Sequence, residues 1–216
     1  MKLSALLLLP ATLLVAFSSP AAELEPKLGK RGLLLLEEKF DGKELPKSWS
    51  RNTGKLTIAD GVLKASEVAA DMHAAAFRRL LPLQDAAVLV KFRFEGAKIF
   101  HLGFDPAPGE LKKRGHLFSV IVTPTGWSIT EHNDKADPKS TNKTLAKAAT
   151  TFEKGRWYEL LLEVKGDDAL AQIAGMEPLH ATSKDFHVKK PGLVFRTGGK
   201  DADEVHVDEV RVWELK

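Results

Sequence analysis

The stretch Ile99–Asp105 reads IFHLGFD. Phe100, Leu102 and Phe104 alternate with His101, Gly103 and Asp105. A period of two is that of a β-strand, whose successive side chains point to opposite faces. One face is therefore a core row. The other sets an imidazole and a carboxylate four residues apart, with a glycine between them. Such a row is either the wet side of an antiparallel sheet or the floor of a site.

Strand signals recur on both sides of this stretch. Gly32–Phe40 (GLLLLEEKF) reads as a first strand, followed by a polar loop, Asp41–Gly54, that holds Pro46 and Trp49. Lys55–Ile58 and Val62–Ala65 flank Ala59-Asp60-Gly61, which predicts a type I′ hairpin turn because glycine accepts the positive φ required. Ala75–Leu80 and Ala87–Phe94 follow, with Pro82 between them. Lys98–Asp105 and His116–Val122 form a hairpin across the basic loop PAPGELKKR, and Gly126–Glu131 continues it. Asn133–Lys143 is a polar loop, and Thr144–Thr150 reads as one helical turn. Trp157–Val164 and Ala169–Ala174 pair across Gly166-Asp167-Asp168, and Gly192–Arg196 and Val205–Trp213 end the chain. Many short, evenly spaced strands without a long helix predict an all-β sandwich or barrel in one domain, Gly32–Lys216.

The start of the chain has a different character. Lys2 precedes an apolar run, Leu3–Phe17, and then the small residues Ser19-Pro20-Ala21-Ala22. This is the layout of a secretory signal peptide, residues 1–22. The run is shorter than the roughly 20 residues of a membrane span, so no membrane insertion is expected after cleavage. Glu23–Arg31 reads as a charged, mobile leader. The chain has no cysteine, which excludes disulfides, thiolate metal sites and a lipid-anchored lipoprotein. A bacterial periplasmic or secreted protein, monomeric and held by its core alone, is the expectation. The net charge of +3 is interspersed rather than gathered into a basic stripe, so nucleic acid is not the expected partner.

Several phrases occur together: Leu36-Glu37-Glu38-Lys39-Phe40-Asp41-Gly42, Leu56-Thr57-Ile58-Ala59-Asp60-Gly61-Val62-Leu63, Phe152-Glu153-Lys154-Gly155-Arg156-Trp157-Tyr158, and Val207-Asp208-Glu209-Val210-Arg211-Val212-Trp213. Together they resemble the concanavalin A-like lectin/glucanase superfamily, and within it exported bacterial domains of the 3-keto-disaccharide hydrolase and laminin-G-like type. The resemblance implies a two-sheet antiparallel jelly roll whose concave face takes saccharides. The matching residues carry architecture rather than chemistry. Glucanases of the superfamily use a Glu-x-Asp-x-x-Glu strand, which sets two carboxyls roughly 5 Å apart for retaining hydrolysis. Neither Glu131-His132-Asn133-Asp134 nor Asp201-Ala202-Asp203-Glu204 has that spacing.

Sorting strands by face gives further polar rows. Lys91, Arg93 and Glu95 lie opposite Val90, Phe92 and Phe94, and Ser128, Thr130 and His132 alternate with Trp127, Ile129 and Glu131. If these strands are neighbours, the rows merge into one polar face. Sugars require planar, multidentate donors and acceptors and an aromatic plate. The candidate ligand-binding set is Arg93, His101, Asp105, His116, Trp127 and His132, with Trp49 a second candidate plate and His116 placed to face His101 across the hairpin. No transition-metal spacing is present and no cofactor is expected, although Asp201, Asp203 and Asp208 suggest a structural calcium. The function expected is recognition of a carbohydrate at the bacterial envelope. The alternatives are a glycoside-active hydrolase using His101, Asp105 and His116 in acid/base roles, and a laminin-G-like protein-interaction module.

Overall fold

The computed structural model describes residues 23–200 and 203–216. The expected signal peptide, residues 1–22, and Asp201 of the acidic cluster lie outside the described residues. The strands are β1 (Arg31–Glu38), β2 (Trp49–Thr53), β3 (Lys55–Ala59), β4 (Val62–Ser66), β5 (Ala75–Leu83), β6 (Ala86–Glu95), β7 (Ile99–Phe104) and β8 (Phe118–Thr123). They continue as β9 (Gly126–Glu131), β10 (Lys143–Ala149), β11 (Tyr158–Lys165), β12 (Asp168–Ile173), β13 (Leu179–Thr182), β14 (Lys190–Gly198) and β15 (Glu204–Leu215). Helical structure among the described residues is confined to two 3₁₀ turns, Ala69–Asp71 and Lys184–Phe186.

Two antiparallel sheets result. One runs β13-β12-β11-β6-β15-β4-β3, with β1 also pairing with β15, and the other runs β10-β9-β8-β7-β14-β5-β2. Their inner rows interlock as a jelly-roll sandwich. Phe92 of the first sheet meets Phe100 of the second at 4.9 Å between ring centroids, and Phe77 and Phe195 stack at 5.0 Å. The core row Phe100, Leu102 and Phe104 is buried as the alternation requires. The hairpin turn is also as expected: Asp60 (φ 57°) and Gly61 (φ 71°) both take the positive φ of type I′.

The structure differs from the sequence reading at several points. Thr144–Thr150 is not a helical turn: Lys143–Ala149 is edge strand β10, paired with β9. Its alanines favour helix intrinsically, but the free edge of β9 and the half-buried Leu145, Ala146 and Ala148 decide for strand. The Asp41–Gly54 loop contains strand β2, and β13 is an additional strand. The β7 and β9 polar rows share one face of the second sheet, but the β6 row does not join them. β6 pairs with β11 and β15, whereas β7 pairs with β8 and β14, so the chain changes sheets between Glu95 and Ile99. Arg93 therefore lies on the opposite sheet from His101.

The leader, expected to be mobile, is docked against the outer face of the first sheet. The backbone N–H groups of Lys27 and Leu28 donate to Glu163 Oε2 at 2.8 and 2.7 Å. Leu24 and Leu28 cover a patch formed by Leu89, Leu161, Trp213 and Leu215. No helix among the described residues is long and apolar enough to cross a membrane.

Candidate functional site

The five interior strands of the seven-stranded sheet turn a polar row outward. On β7 this row is His101 and Gly103, with Asp105 just past the strand end. On β14 it includes Arg196, directly opposite His101 in the register. On β5 it includes Arg78, and on β8 Ser119, which faces Gly103 on one side and Thr130 of β9 on the other. His132 follows β9 directly, and its N–H donates to the Leu117 carbonyl at 3.0 Å.

The side chains on this face meet. His116 Nδ1 lies 2.5 Å from Asp105 Oδ1, and Arg78 donates to Asp105 Oδ2 from Nε and Nη2 at 3.3 and 3.2 Å. Asn52 holds the other arm of Arg78. Arg196 Nη2 lies 3.0 Å from His101 Nδ1 and 3.4 Å from His132 Nε2, and Ser119 Oγ lies 2.9 Å from the same His132 nitrogen. The His101 and His132 rings are nearly parallel at 6.3 Å, and His116 stands edge-on to His132 at 5.5 Å. Beside His132 a cavity of about 180 Å³ opens between Glu131, Ser140, Lys143 and Asp185. Lys113 crosses it, within 3.5 Å of Glu131 and 3.8 Å of Asp185.

Burial first, then the neighbouring Arg196 charge, pushes His101 and His132 each down to about 3. At neutral pH both are uncharged imidazoles, suited to hydrogen-bonding neutral hydroxyls rather than to donating protons. For Asp105, burial favours the neutral acid, but the hydrogen bond and charge of His116 and the charge of Arg78 outweigh it and hold the carboxyl below its usual range. The face thus combines an ionised acid bridging a histidine and an arginine with two neutral histidines around a second arginine.

Of the sequence-predicted residues, His101, Asp105, His116 and His132 come together here. His116 does not face His101, which is opposite Ile121; it reaches back across the loop to Asp105 instead. Arg93 is on the other sheet, paired with Glu95 at 3.0 Å and against His206. Trp127 is 3% exposed and packs inward with Ile129, so it offers no plate to this face. Trp49 is likewise inward, among Phe40, Phe77 and Phe195. Gly103 does not open room for a ligand: a Cβ there would lie 2.3 Å from Ser119 Oγ and from the Phe118 carbonyl, so the space is already filled. Sequence reading missed Arg78, Ser119 and Arg196. Both arginines alternate with core residues, as in Phe77-Arg78 and Phe195-Arg196, but their adjacency to β7 depends on non-sequential pairings.

Asp208 pairs with Lys91 at 2.5 Å and Asp203 accepts from the Lys200 N–H, so these acids serve different neighbours. No cluster of three or more His, Asp or Glu side chains that could hold a metal is found among the described residues. A larger cavity, about 820 Å³, lies elsewhere, around Leu35, Pro82, Lys190 and Pro191. Asp85, Glu214, Lys189 and Lys216 are also among its lining residues. Its buried amine, Lys190, is pushed down to about 8 by burial and donates to the Gln84, Phe186 and Val188 carbonyls, which makes it an anchor.

A variant of a non-specific endo-β-1,3(4)-glucanase of family GH16, with an oligosaccharide at its active site, superimposes with a TM-score of 0.64 over 90% of this chain and 100% of that one. This chain shares the two-sheet jelly-roll fold of that glucanase. Identity to that glucanase is 16%. A laminarinase from Flavobacterium sp. UMI-01 gives a TM-score of 0.59 at 12% identity, covering 84% of this chain and 100% of its own. The carbohydrate-binding module CBM66 from Bacillus subtilis gives 0.52 at 11% identity, covering 78% and 92%. At these identities the likeness is one of fold. No protein-family model matches the chain, and no curated protein matches it.

Proposed function

We propose that this protein recognises a saccharide on the outer face of the seven-stranded sheet, as an exported carbohydrate-binding domain of the bacterial envelope. The observation that carries the reading is the meeting of His101, His116, His132, Asp105, Arg78 and Arg196 on one outward face of a superfamily fold whose structural relatives include glucanases and a carbohydrate-binding module. Neutral imidazoles and fixed guanidinium groups present the directional donors and acceptors that sugar hydroxyls require. The N-terminal Lys2, the apolar run and the small residues at Ser19–Ala22 support export.

A second reading, glycoside-active chemistry, is favoured by the Asp105–His116 pair. An ionised carboxylate on Nδ1 orients the imidazole so that Nε2 can exchange a proton with a bound group. The binding reading is preferred because no second carboxylate stands with Asp105 in this cluster to form a retaining pair.

The test is a glycan array together with a hydrolysis screen, run on the wild type and His101→Ala. Saccharide binding that His101→Ala weakens tenfold or more is the expected result. Turnover of a glycoside that His116→Ala abolishes would move the assignment to the hydrolase. If neither protein binds or cleaves any saccharide, the carbohydrate reading fails.

A further inference from the structure

Arg196 is held differently from Arg78, its neighbour on the same face. Arg78 has a carboxylate partner, Asp105, at 3.2 Å. Arg196 forms no ion pair among the described residues, and its Nη2 is shared between the nitrogens of His101 and His132. Its Nε is buried without a hydrogen-bond partner, and its Nη1 makes no protein hydrogen bond among the described residues. The cluster therefore holds two guanidinium charges and one carboxylate. Desolvating a cation is costly unless it is paired, and a guanidinium meets a planar oxyanion with two parallel hydrogen bonds. A neutral hydroxyl can accept one of these bonds but leaves the charge uncompensated.

Resting on the saccharide reading above, we infer that the sugar recognised on this face is acidic, carrying a carboxylate or sulfate group that pairs with the guanidinium of Arg196. His101 and His132 lie against its Nη2, and Ser119 bonds to His132, which sets groups suited to sugar hydroxyls beside the guanidinium. The lowered basicity of the two imidazoles removes them as competing cations, so Arg196 is the charge that the ligand must answer. Burial disfavours the charged form of Arg196; the Asp105 carboxylate offsets part of this, the charge of Arg78 adds to it, and an arriving anion would strengthen the offset.

The experiment uses the full chain in titration calorimetry with an oligogalacturonate and its carboxyl-reduced counterpart, and with a sulfated galactan oligomer and its desulfated counterpart. A glycan array of neutral and acidic members runs in parallel. The expected result is that the tightest ligands are acidic, and that removing the acid group weakens binding by about 10- to 100-fold. Arg196→Gln should lose the same factor and Arg196→Lys should recover part of it, so that the preference for each acidic ligand over its neutral counterpart shrinks in Arg196→Gln and partly returns in Arg196→Lys. Which acidic ligand loses more on neutralisation identifies the oxyanion as carboxylate or sulfate. Thermal melting of each variant checks that it is folded, and Arg196→Lys keeps the test open if Arg196→Gln is not. Tightest binding of a neutral glycan, or an Arg196→Gln protein that binds acidic ligands as the wild type does, overturns the inference and leaves the saccharide reading standing. Binding of no glycan by a folded wild type overturns both.

Discussion

His116 Nδ1 and Asp105 Oδ1 stand 2.5 Å apart, joining the two ends of the PAPGELKKR loop. The contact closes the long β7–β8 hairpin outside its ladder. Arg78 adds a third strand to the same carboxylate. Asp105→Asn keeps the size of the side chain but removes the charge that both partners use. Hydrogen bonds to a charged group contribute about 1.5–3 kcal/mol each, so a loss of about 2–3 kcal/mol is expected, with faster proteolysis at Lys112, Lys113 and Arg114. Urea unfolding and limited trypsin digestion measure both. A loop cut no faster than in the wild type would show that the pair does not hold it.

Stability should fall on the acid side through His101 and His132. Both are lowered from 6.5 to about 3 in the folded chain. Between those values the unfolded chain binds protons that the folded chain refuses. Stability from this source is therefore complete above about pH 6.5 and is lost as the pH falls toward 3. Asp105, also lowered, acts in the same direction at still lower pH. Allowing for water at the rim of the face, about 3 kcal/mol should disappear between about pH 6.5 and pH 4. The paired substitution His101→Gln and His132→Gln should flatten that segment of the curve, read as chemical unfolding at a series of pH values. An unchanged slope would mean that other groups set the acid sensitivity.

Gly103 is fixed by packing. Its φ is unexceptional, but a β-carbon would enter the space of Ser119 Oγ and the Phe118 carbonyl at 2.3 Å, and the carbonyl is part of the ladder. Gly103→Ala should force β7 from β8 and cost about 3 kcal/mol, lowering the melting temperature by roughly 6–12 °C. Adding Ser119→Gly in the same chain should recover only part of this, because the Phe118 carbonyl remains. Full recovery would assign the whole clash to the hydroxyl.

The period-two reading of Ile99–Asp105 identified the strand, its core row and the two outward titratable residues, because alternation is a local property. The I′ turn at Asp60-Gly61 was legible for the same reason. Thr144–Thr150 was not: its alanines express helix propensity, while what makes it a strand is pairing with the edge of the preceding β9, which its own local pattern does not show. The site was half legible. His101, Asp105, His116 and His132 all lie within one run of consecutive hairpins, β7-β8-β9, so local topology brings them together. Arg78 and Arg196 arrive on β5 and β14, which reach β7 only through long-range pairing. Arg93 and Trp127 fail for opposite reasons. One strand belongs to the other sheet, and the other side chain sits on the inward parity of the right sheet.

Glu163 gives the last prediction, because parity alone turns it outward and yet it is fully buried. The leader covers it. Two backbone N–H groups, from Lys27 and Leu28, and the Gln172 amide at 3.0 Å all donate to its carboxylate, while Gln172 also holds the Glu25 carbonyl. The carboxylate thus acts as the receptor for a segment that lies outside the strands and meets the backbone of Lys216 only at Lys30. Glu163→Ala leaves those donors without an acceptor and should detach residues 23–30 from Leu89, Leu161 and Trp213. The expected cost is about 3 kcal/mol, a drop in melting temperature of roughly 6–12 °C, with trypsin cutting after Lys27 and Lys30 well before the sandwich is attacked. Glu163→Gln keeps one acceptor oxygen and should fall between the two. A Glu163→Ala chain whose leader resists trypsin as the wild type does would show that the apolar contacts of Leu24 and Leu28, the Glu23 pairs with Arg31 and Arg211 and the Lys30–Lys216 backbone bonds hold the segment, and that the buried carboxylate is not what docks it.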